Sequence, residues 1–438
     1  MKFFSKVIAS VAVTTIASLT LFESSAQAFT LTTYQNSLST LRILPYGDSN
    51  TRGYKNPSGY RNDLQKLFKD RGFKVDFVGE KQWCDVSDQS FGNTKKNNSC
   101  DKADPKFLDL DHEGIGGIRI NEMLGETPEK GRENFVISGS VNNVFDKIKN
   151  DSPLIVLLMA GTNDIIGQKQ KAKDVIEELG KLVDEISEQN TDAIFVSTIQ
   201  PFGSEHPLVD ESKEYNKSIT ESLKNKINKS NQDKVFVVDH ELLEKDAKNN
   251  TNVHSNSNGY TQMANKWFES ILYNAERISI VDNEISAGTN NSAGALSING
   301  NLDVVVNSRL SVQIGGTSQG KEYDFIDVGQ KATFSGSNLD ISLLNGFIPK
   351  KNDVFEIVSA KFLKFLEKPR LFNNLDPISQ TINFDIGNKK QGQFKVFVDD
   401  NTIKLSNFKK TTPEPGMILG LMAIAGMGLS LKRKSTRV

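Results

Sequence analysis

The chain has 438 residues, with 53 Lys and Arg against 54 Asp and Glu and a formal net charge of −1. The first 28 residues contribute +1 (Lys2, Lys6, Glu23) and those from Thr411 onward +3 (Glu414, Lys432, Arg433, Lys434, Arg437), leaving −5 on residues 29–410. A mildly acidic body with no basic stripe has no electrostatic footprint for nucleic acid, and its length suits two domains.

In chain order, Lys2 and Lys6 precede an apolar run from Val7 to Phe22, and Ala26-Gln27-Ala28 is a small-x-small cleavage site. This is the pattern of a secretory signal peptide over 1–28, with Phe29 as first mature residue. A strand is predicted at Leu41–Leu44, followed by Gly47-Asp48-Ser49. A serine on a sharp strand-to-helix turn projects its hydroxyl above a sheet, with its own N–H and the next helical turn facing a developing oxyanion. The spacing of Leu64, Leu67 and Phe68 predicts a helix over Arg61–Asp70, with Gly72 as its stop.

A strand follows at Lys74–Val78. Cys84 and Cys100 are the only cysteines. In an exported chain they read as one disulfide, closing a polar loop of about 15 residues for up to ~3 kcal/mol. Leu154–Met159 is a continuous apolar run, as in a buried parallel strand. Val175, Ile176, Leu179, Leu182, Val183 and Ile186 predict a helix near 172–188. Strands are expected at Ala193–Ile199 and Val235–Val238, and a last helix holds Met263, Ala264, Trp267 and Ile271. Alternation of this kind predicts a parallel sheet covered on both faces, with chemistry outside the carboxyl ends of its strands.

From residue 281 the composition shifts to Gly, Ser and Asn, and short alternating runs begin: Leu302–Val306, Leu310–Ile314, Phe325–Val328, Leu339–Leu344, Phe355–Val358 and Phe394–Val398. They predict a smaller all-β domain over 281–410. The stretch from Tyr323 to Pro349 resembles a β module of bacterial surface proteins, as a fragment of a β-solenoid. It contains no tryptophan, since the two are Trp83 and Trp267. This disfavours a dedicated sugar-binding module and favours a spacer or surface-attachment role. The chain ends in Pro413-Glu414-Pro415, an apolar run Gly416–Leu431 and Lys432-Arg433-Lys434. Sixteen apolar residues barely span a bilayer, and the basic cluster holds its end on the cytoplasmic side.

Gly47-Asp48-Ser49, Gly117, Gly161-Thr162-Asn163-Asp164 and His254 with Gly259-Tyr260 behind it, in that order, resemble the four blocks of the SGNH (GDSL-type) hydrolases. The resemblance runs over about residues 41–275. It implies a flavodoxin-like three-layer α/β/α domain with a parallel sheet, here 29–280, and ester hydrolysis without a cofactor. It implies Ser49 as nucleophile, the Ser49 N–H, the Gly117 N–H and the Asn163 amide as oxyanion donors, and His254 as base. Asp111-His112-Glu113-Gly114-Ile115-Gly116-Gly117-Ile118-Arg119-Ile120 is similar to the second block of the subset that includes acetylxylan esterases, and Gly59-Tyr60-Arg61 and Val75–Gly79 are similar to that subset too. The carboxyl-terminal pattern, 411–438, resembles the PEP-CTERM sorting signal. That implies transient membrane anchoring, processing by an exosortase, and delivery to the cell surface or extracellular matrix.

One residue departs from the pattern: Thr251 stands where the family carries the Asp that orients the histidine. Threonine supplies no charge to an imidazolium, so a backbone carbonyl or another carboxylate, such as Asp246, would do the orienting. The other histidines, His112, His206 and His240, compete for the role of base, with His240 the chief rival. Asp48 and Asp164 read as braces of their turns, and Arg52 and Arg119 as solvated charges or substrate contacts. The leading expectation is an exported serine esterase acting on acetylated polysaccharide. The alternatives are a lipase or lysophospholipase of the same fold, and a non-catalytic surface protein that has kept the fold.

Overall fold

The computed structural model describes residues 29–33, 40–82, 109–148, 154–240 and 253–411, less 55, 57, 72, 110, 201, 290, 306, 366–371, 375, 377–379, 388–389 and 400. The expected signal peptide, the Cys84–Cys100 disulfide, Asp246, Thr251 and the sorting signal beyond Thr411 lie outside the described residues.

The chain enters as strand β1 (Thr30–Thr33) and continues with β2 (Leu41–Gly47), helix α1 (Ser49–Arg52) and α2 (Arg61–Asp70). Strands β3 (Val75–Phe77), β4 (Lys81–Gln82) and β5 (Asp111–Gly114) follow, then short helices α3 (Ile120–Met123), α4 (Glu133–Gly139) and α5 (Val141–Phe145). Next come β6 (Leu154–Met159), α6 (Thr162–Gln168), α7 (Ala172–Ser187) and β7 (Ala193–Ser197). Helix α8 (Val209–Ser222), β8 (Val235–Val238) and α9 (Ser257–Asn274) complete this half.

The sheet runs β4-β5-β2-β6-β7-β8, with β3 also paired to β2, and every pairing but β4–β5 is parallel. Central strand β6 is buried at all six positions, and its alternate side chains serve opposite faces. Ile155, Leu157 and Met159 join the cluster that holds Leu64 and Phe68 of α2 and Met263, Trp267 and Ile271 of α9. Val156 and Leu158 join the cluster that holds Val175, Leu179 and Val183 of α7 and Tyr215 and Ile219 of α8. The result is the expected flavodoxin-like α/β/α sandwich. Strand order reverses between β2 and β6, so the cleft at their carboxyl ends is the topological switch point where ligands bind in such sheets.

The second half is a stack of rungs: β9 (Arg277–Ile280), β10 (Glu284–Ile285), β11 (Ala295–Ile298), β12 (Asn301–Val304), β13 (Arg309–Ile314), β14 (Phe325–Phe334), β15 (Asn338–Leu343) and β16 (Phe355–Phe365). One parallel sheet runs β1-β9-β12-β14-β16 and a second β10-β13-β15. In register, Ile278, Leu302, Ala332 and Leu363 form one ladder, and Ile280, Val304, Phe334 and Phe365 another. The far end closes with antiparallel β17 (Thr381–Asp385), β18 (Gln391–Val398) and β19 (Thr402–Thr411). This is a short β-solenoid with an antiparallel cap. Strands β1 and β9 both fall within 29–280, yet they pair in this sheet. The apolar cluster is continuous from the α2 and α9 face of the sandwich into the rungs. Phe29, 3% exposed, sits at that junction, its ring edge-on to Phe195 of β7 at 6.0 Å.

Candidate active site

Strand β2 delivers the chain to the switch point through Gly47. Its φ is +155°, and a Cβ there would lie 2.1 Å from the Met159 carbonyl oxygen of neighbouring β6, so only glycine fits. Asp48 then caps α1, its carboxylate accepting the Asn50 N–H at 2.8 Å. Ser49 is the first helical residue, where the backbone N–H has no intrahelical acceptor. The four-residue helix is closed by Gly53, whose N–H donates to the Ser49 carbonyl at 2.9 Å. Buried Arg61 secures the same end, donating to the carbonyls of Thr51 and, at 3.0 Å, Arg52.

His254 comes from a part of the chain remote in sequence, the segment before α9. Its Nε2 lies 2.8 Å from Ser49 Oγ, across 205 positions of sequence. The Tyr54 ring lies flat on the imidazole, with centroids 4.1 Å apart and an interplanar angle of 16°. The peptides on either side of the histidine are held too. Asn50 Nδ2 donates to the Val253 carbonyl at 3.3 Å, and Asn50 Oδ1 accepts the Ser255 N–H at 3.4 Å. Ser255 Oγ donates to Gln200 Oε1 at 2.6 Å. Asn256 caps α9 by accepting the Gly259 N–H at 2.9 Å, and the buried Tyr260 hydroxyl accepts the Tyr54 N–H at 3.0 Å.

The other two predicted residues stand beyond the strands that flank β2. Gly47 pairs with Gly114 of β5 and Met159 of β6, so Gly117 and Asn163 follow those partners by three and four residues. Gly117 has φ +86°, and its carbonyl accepts from Arg132 at 2.7 Å, while the same guanidinium binds Glu122. Asn163 Nδ2 donates to the Ile118 carbonyl at 2.9 Å, tying its turn to the Gly117 turn. An amide nitrogen carries two hydrogens, so one remains for an oxyanion. The adjacent Asp164 carboxylate accepts the Ile120 N–H at 3.0 Å, a further tie between the two turns. Burial pushes Asp164 up to about 7 and Asp48 up to about 6.

The rival histidines are engaged elsewhere. His240 is buried edge-on to Trp267 at 4.8 Å, and burial holds its imidazolium down to about 3. His112 is buried and accepts the Gly114 N–H on Nδ1 at 2.9 Å, with burial keeping it neutral well below the usual histidine range. His206 packs edge-on to Phe202 and accepts the Leu208 N–H at 3.1 Å. Among the described residues, no cluster of His, Cys, Asp or Glu is arranged to hold a metal ion. Sequence reasoning missed Asn50, Tyr54 and Gln200. Their side chains meet segments remote in sequence, and only the position of Asn50 directly after Ser49 gave a clue.

The GDSL-like lipase/acylhydrolase family model matches residues 43–267, and the chain belongs to that family. It is 28% identical over 236 residues to a multidomain esterase of Ruminococcus flavefaciens, covering 53% of this chain; the match spans 28% of that relative's length. Among solved structures it is similar to a Clostridium thermocellum family 3 carbohydrate esterase, 23% identical with a TM-score of 0.38, covering 53% of this chain and 95% of that one. It is also similar to a carbohydrate esterase family 3 protein from Talaromyces cellulolyticus, 19% identical with a TM-score of 0.38, covering 52% and 95%.

Proposed function

We propose that the protein is an exported serine esterase that removes acetyl groups from a polysaccharide. The 2.8 Å contact between Ser49 Oγ and His254 Nε2 carries the reading. An alcohol is a poor nucleophile until a base takes its proton, and hydrogen-bond contact between the two is the geometry that transfer needs. In this mechanism His254 takes the proton as Ser49 attacks the acyl carbonyl. The oxyanion is met by the Ser49 N–H, the Gly117 N–H and the free Asn163 amide hydrogen. His254 then returns the proton to the leaving alcohol, and water releases the acyl-enzyme by the same steps in reverse. No step calls on a cofactor.

Acetyl and polysaccharide specificity is supported by the similarity of residues 111–120 to the second block of the subset that includes acetylxylan esterases. Export and surface delivery are supported by the two terminal signal patterns, the second with an exosortase as processing partner. The β unit, expected over 281–410, serves as a spacer or surface-attachment unit for the hydrolase at the cell surface or matrix.

Hydrolysis of p-nitrophenyl acetate, butyrate and octanoate by the purified protein, beside Ser49→Ala, tests the reading. The expected result is turnover favouring acetate and abolished in Ser49→Ala with unchanged melting temperature. Preference for octanoate would replace the deacetylase by a lipase. Absence of both turnover and fluorophosphonate labelling in folded protein would leave a binding protein.

A further inference from the structure

The nucleophile and the base come from opposite ends of the hydrolase half, so something must register one to the other to within a fraction of an ångström. Among the described residues, His254 lies in no named strand of the sandwich. The side chain that bridges the gap is Asn50, immediately after Ser49 and fully buried. Its planar amide presents an acceptor to the Ser255 N–H at 3.4 Å and a donor to the Val253 carbonyl at 3.3 Å. These peptides flank His254, so the amide grips the backbone on both sides of the base as a strand neighbour would. Each bond is long, but donor and acceptor directions are satisfied together on a planar group that cannot rotate to suit one alone. Tyr54, one residue beyond the Gly53 cap of the same turn, covers the face of the imidazole.

Resting on the esterase reading above, we propose that Asn50 is a positioning residue that docks the His254 segment onto the nucleophile's own helical turn, with Tyr54 fixing the plane of the ring. Ser49 and His254 are then set relative to each other through Asn50 of α1 and Tyr54 just beyond its cap. The device acts on backbone and ring face, independently of the group that meets His254 Nδ1.

A purely structural role for a buried amide is separated from this by two variants. Asn50→Ala removes the amide and leaves space, and Asn50→Leu removes the amide and keeps the volume. The proposal expects both to lower kcat about 10- to 100-fold, since a small misplacement of a catalytic group costs up to about that much. KM should stay within about twofold, because substrate binding is untouched. The rate of fluorophosphonate labelling should fall by the same factor, while the final extent of labelling stays complete. A kcat within about threefold of the parent in both variants would overturn it. So would a loss that tracks only the fraction of protein able to label. A second readout does not depend on turnover. The chain has four histidines, so the His254 ring resonance can be assigned by its disappearance in His254→Gln. Asn50→Ala must shift or broaden that resonance, and an unmoved signal overturns the proposal even if the protein hydrolyses nothing. Failure of the esterase reading shows separately, as absence of turnover and labelling in the parent protein.

Discussion

Asp164 shows how a single side chain can serve the site at a cost to the fold. Its carboxylate is fully buried, and one oxygen accepts the Ile120 N–H, tying the Asn163 turn to the Gly117 turn. Burial raises its folded-state value to about 7, from an ordinary carboxylate value of 3.8. For an acid raised on folding, the native state binds more protons than the unfolded state between those two values. Its contribution to stability is therefore fully present below about pH 4 and is lost as pH rises through about 7. An asparagine in its place would keep an acceptor for the Ile120 N–H and carry no charge. Asp164→Asn is expected to raise melting temperature at pH 8 relative to the parent and to flatten its decline between pH 4 and 7. Thermal melts across that range check the sign, and a steeper decline in the variant would refute it.

At the scale of elements, the site depends on how closely β2 and β6 approach at their carboxyl ends. The approach is set by Gly47, where an added methyl group would overlap the Met159 carbonyl. Gly47→Ala must push the strands apart or bend the turn that carries Ser49. It is expected to cost about 1–3 kcal/mol of stability and to reduce kcat by more than the loss of folded protein accounts for. Denaturant melts and active-site labelling, made side by side, measure both. The strands and helices with strong periodicity were legible in sequence: β6 as an unbroken apolar run, and α7 with its stripe from Val175 to Ile186. Helix α8 was not, because only Ser212, Tyr215, Asn216 and Ile219 are buried and two of those are polar. Strands β17 and β19 were missed for a related reason. Each offers only a short apolar alternation, Ile382 and Phe384 in one and Ile403 and Leu405 in the other, and their burial is decided by pairing with β18 and, for β19, also with β16.

At the scale of the whole molecule, hydrolase and solenoid share one apolar cluster rather than meeting across a polar linker. The amino-terminal segment joins them. β1 pairs with β9 as the first rung, and Phe29 fills the space beside Phe195 of the sandwich sheet. Phe29→Ala is expected to destabilise the protein by about 3–5 kcal/mol and to lower the melting of both halves together. Two separate transitions, with only the solenoid affected, would show that the halves fold independently. Among the described residues no helix is long and apolar enough to cross a membrane.

The alternation that builds a covered parallel sheet, the glycine-flanked turn that carries Ser49 and the order of the four blocks are all written in the residues themselves. These are local properties, carried by side-chain period and by backbone conformations that only certain residues adopt. Pairing across distance came only with the folded chain. It set His254 beside Ser49 and buried His240 against Trp267. It turned Asn50 from a residue next to Ser49 into a side chain that grips both peptides flanking His254, and it made residues 30–33 a strand of the solenoid. None of these follows from local pattern, because each depends on which remote segment supplies the opposite half of a hydrogen bond or of a packed ring.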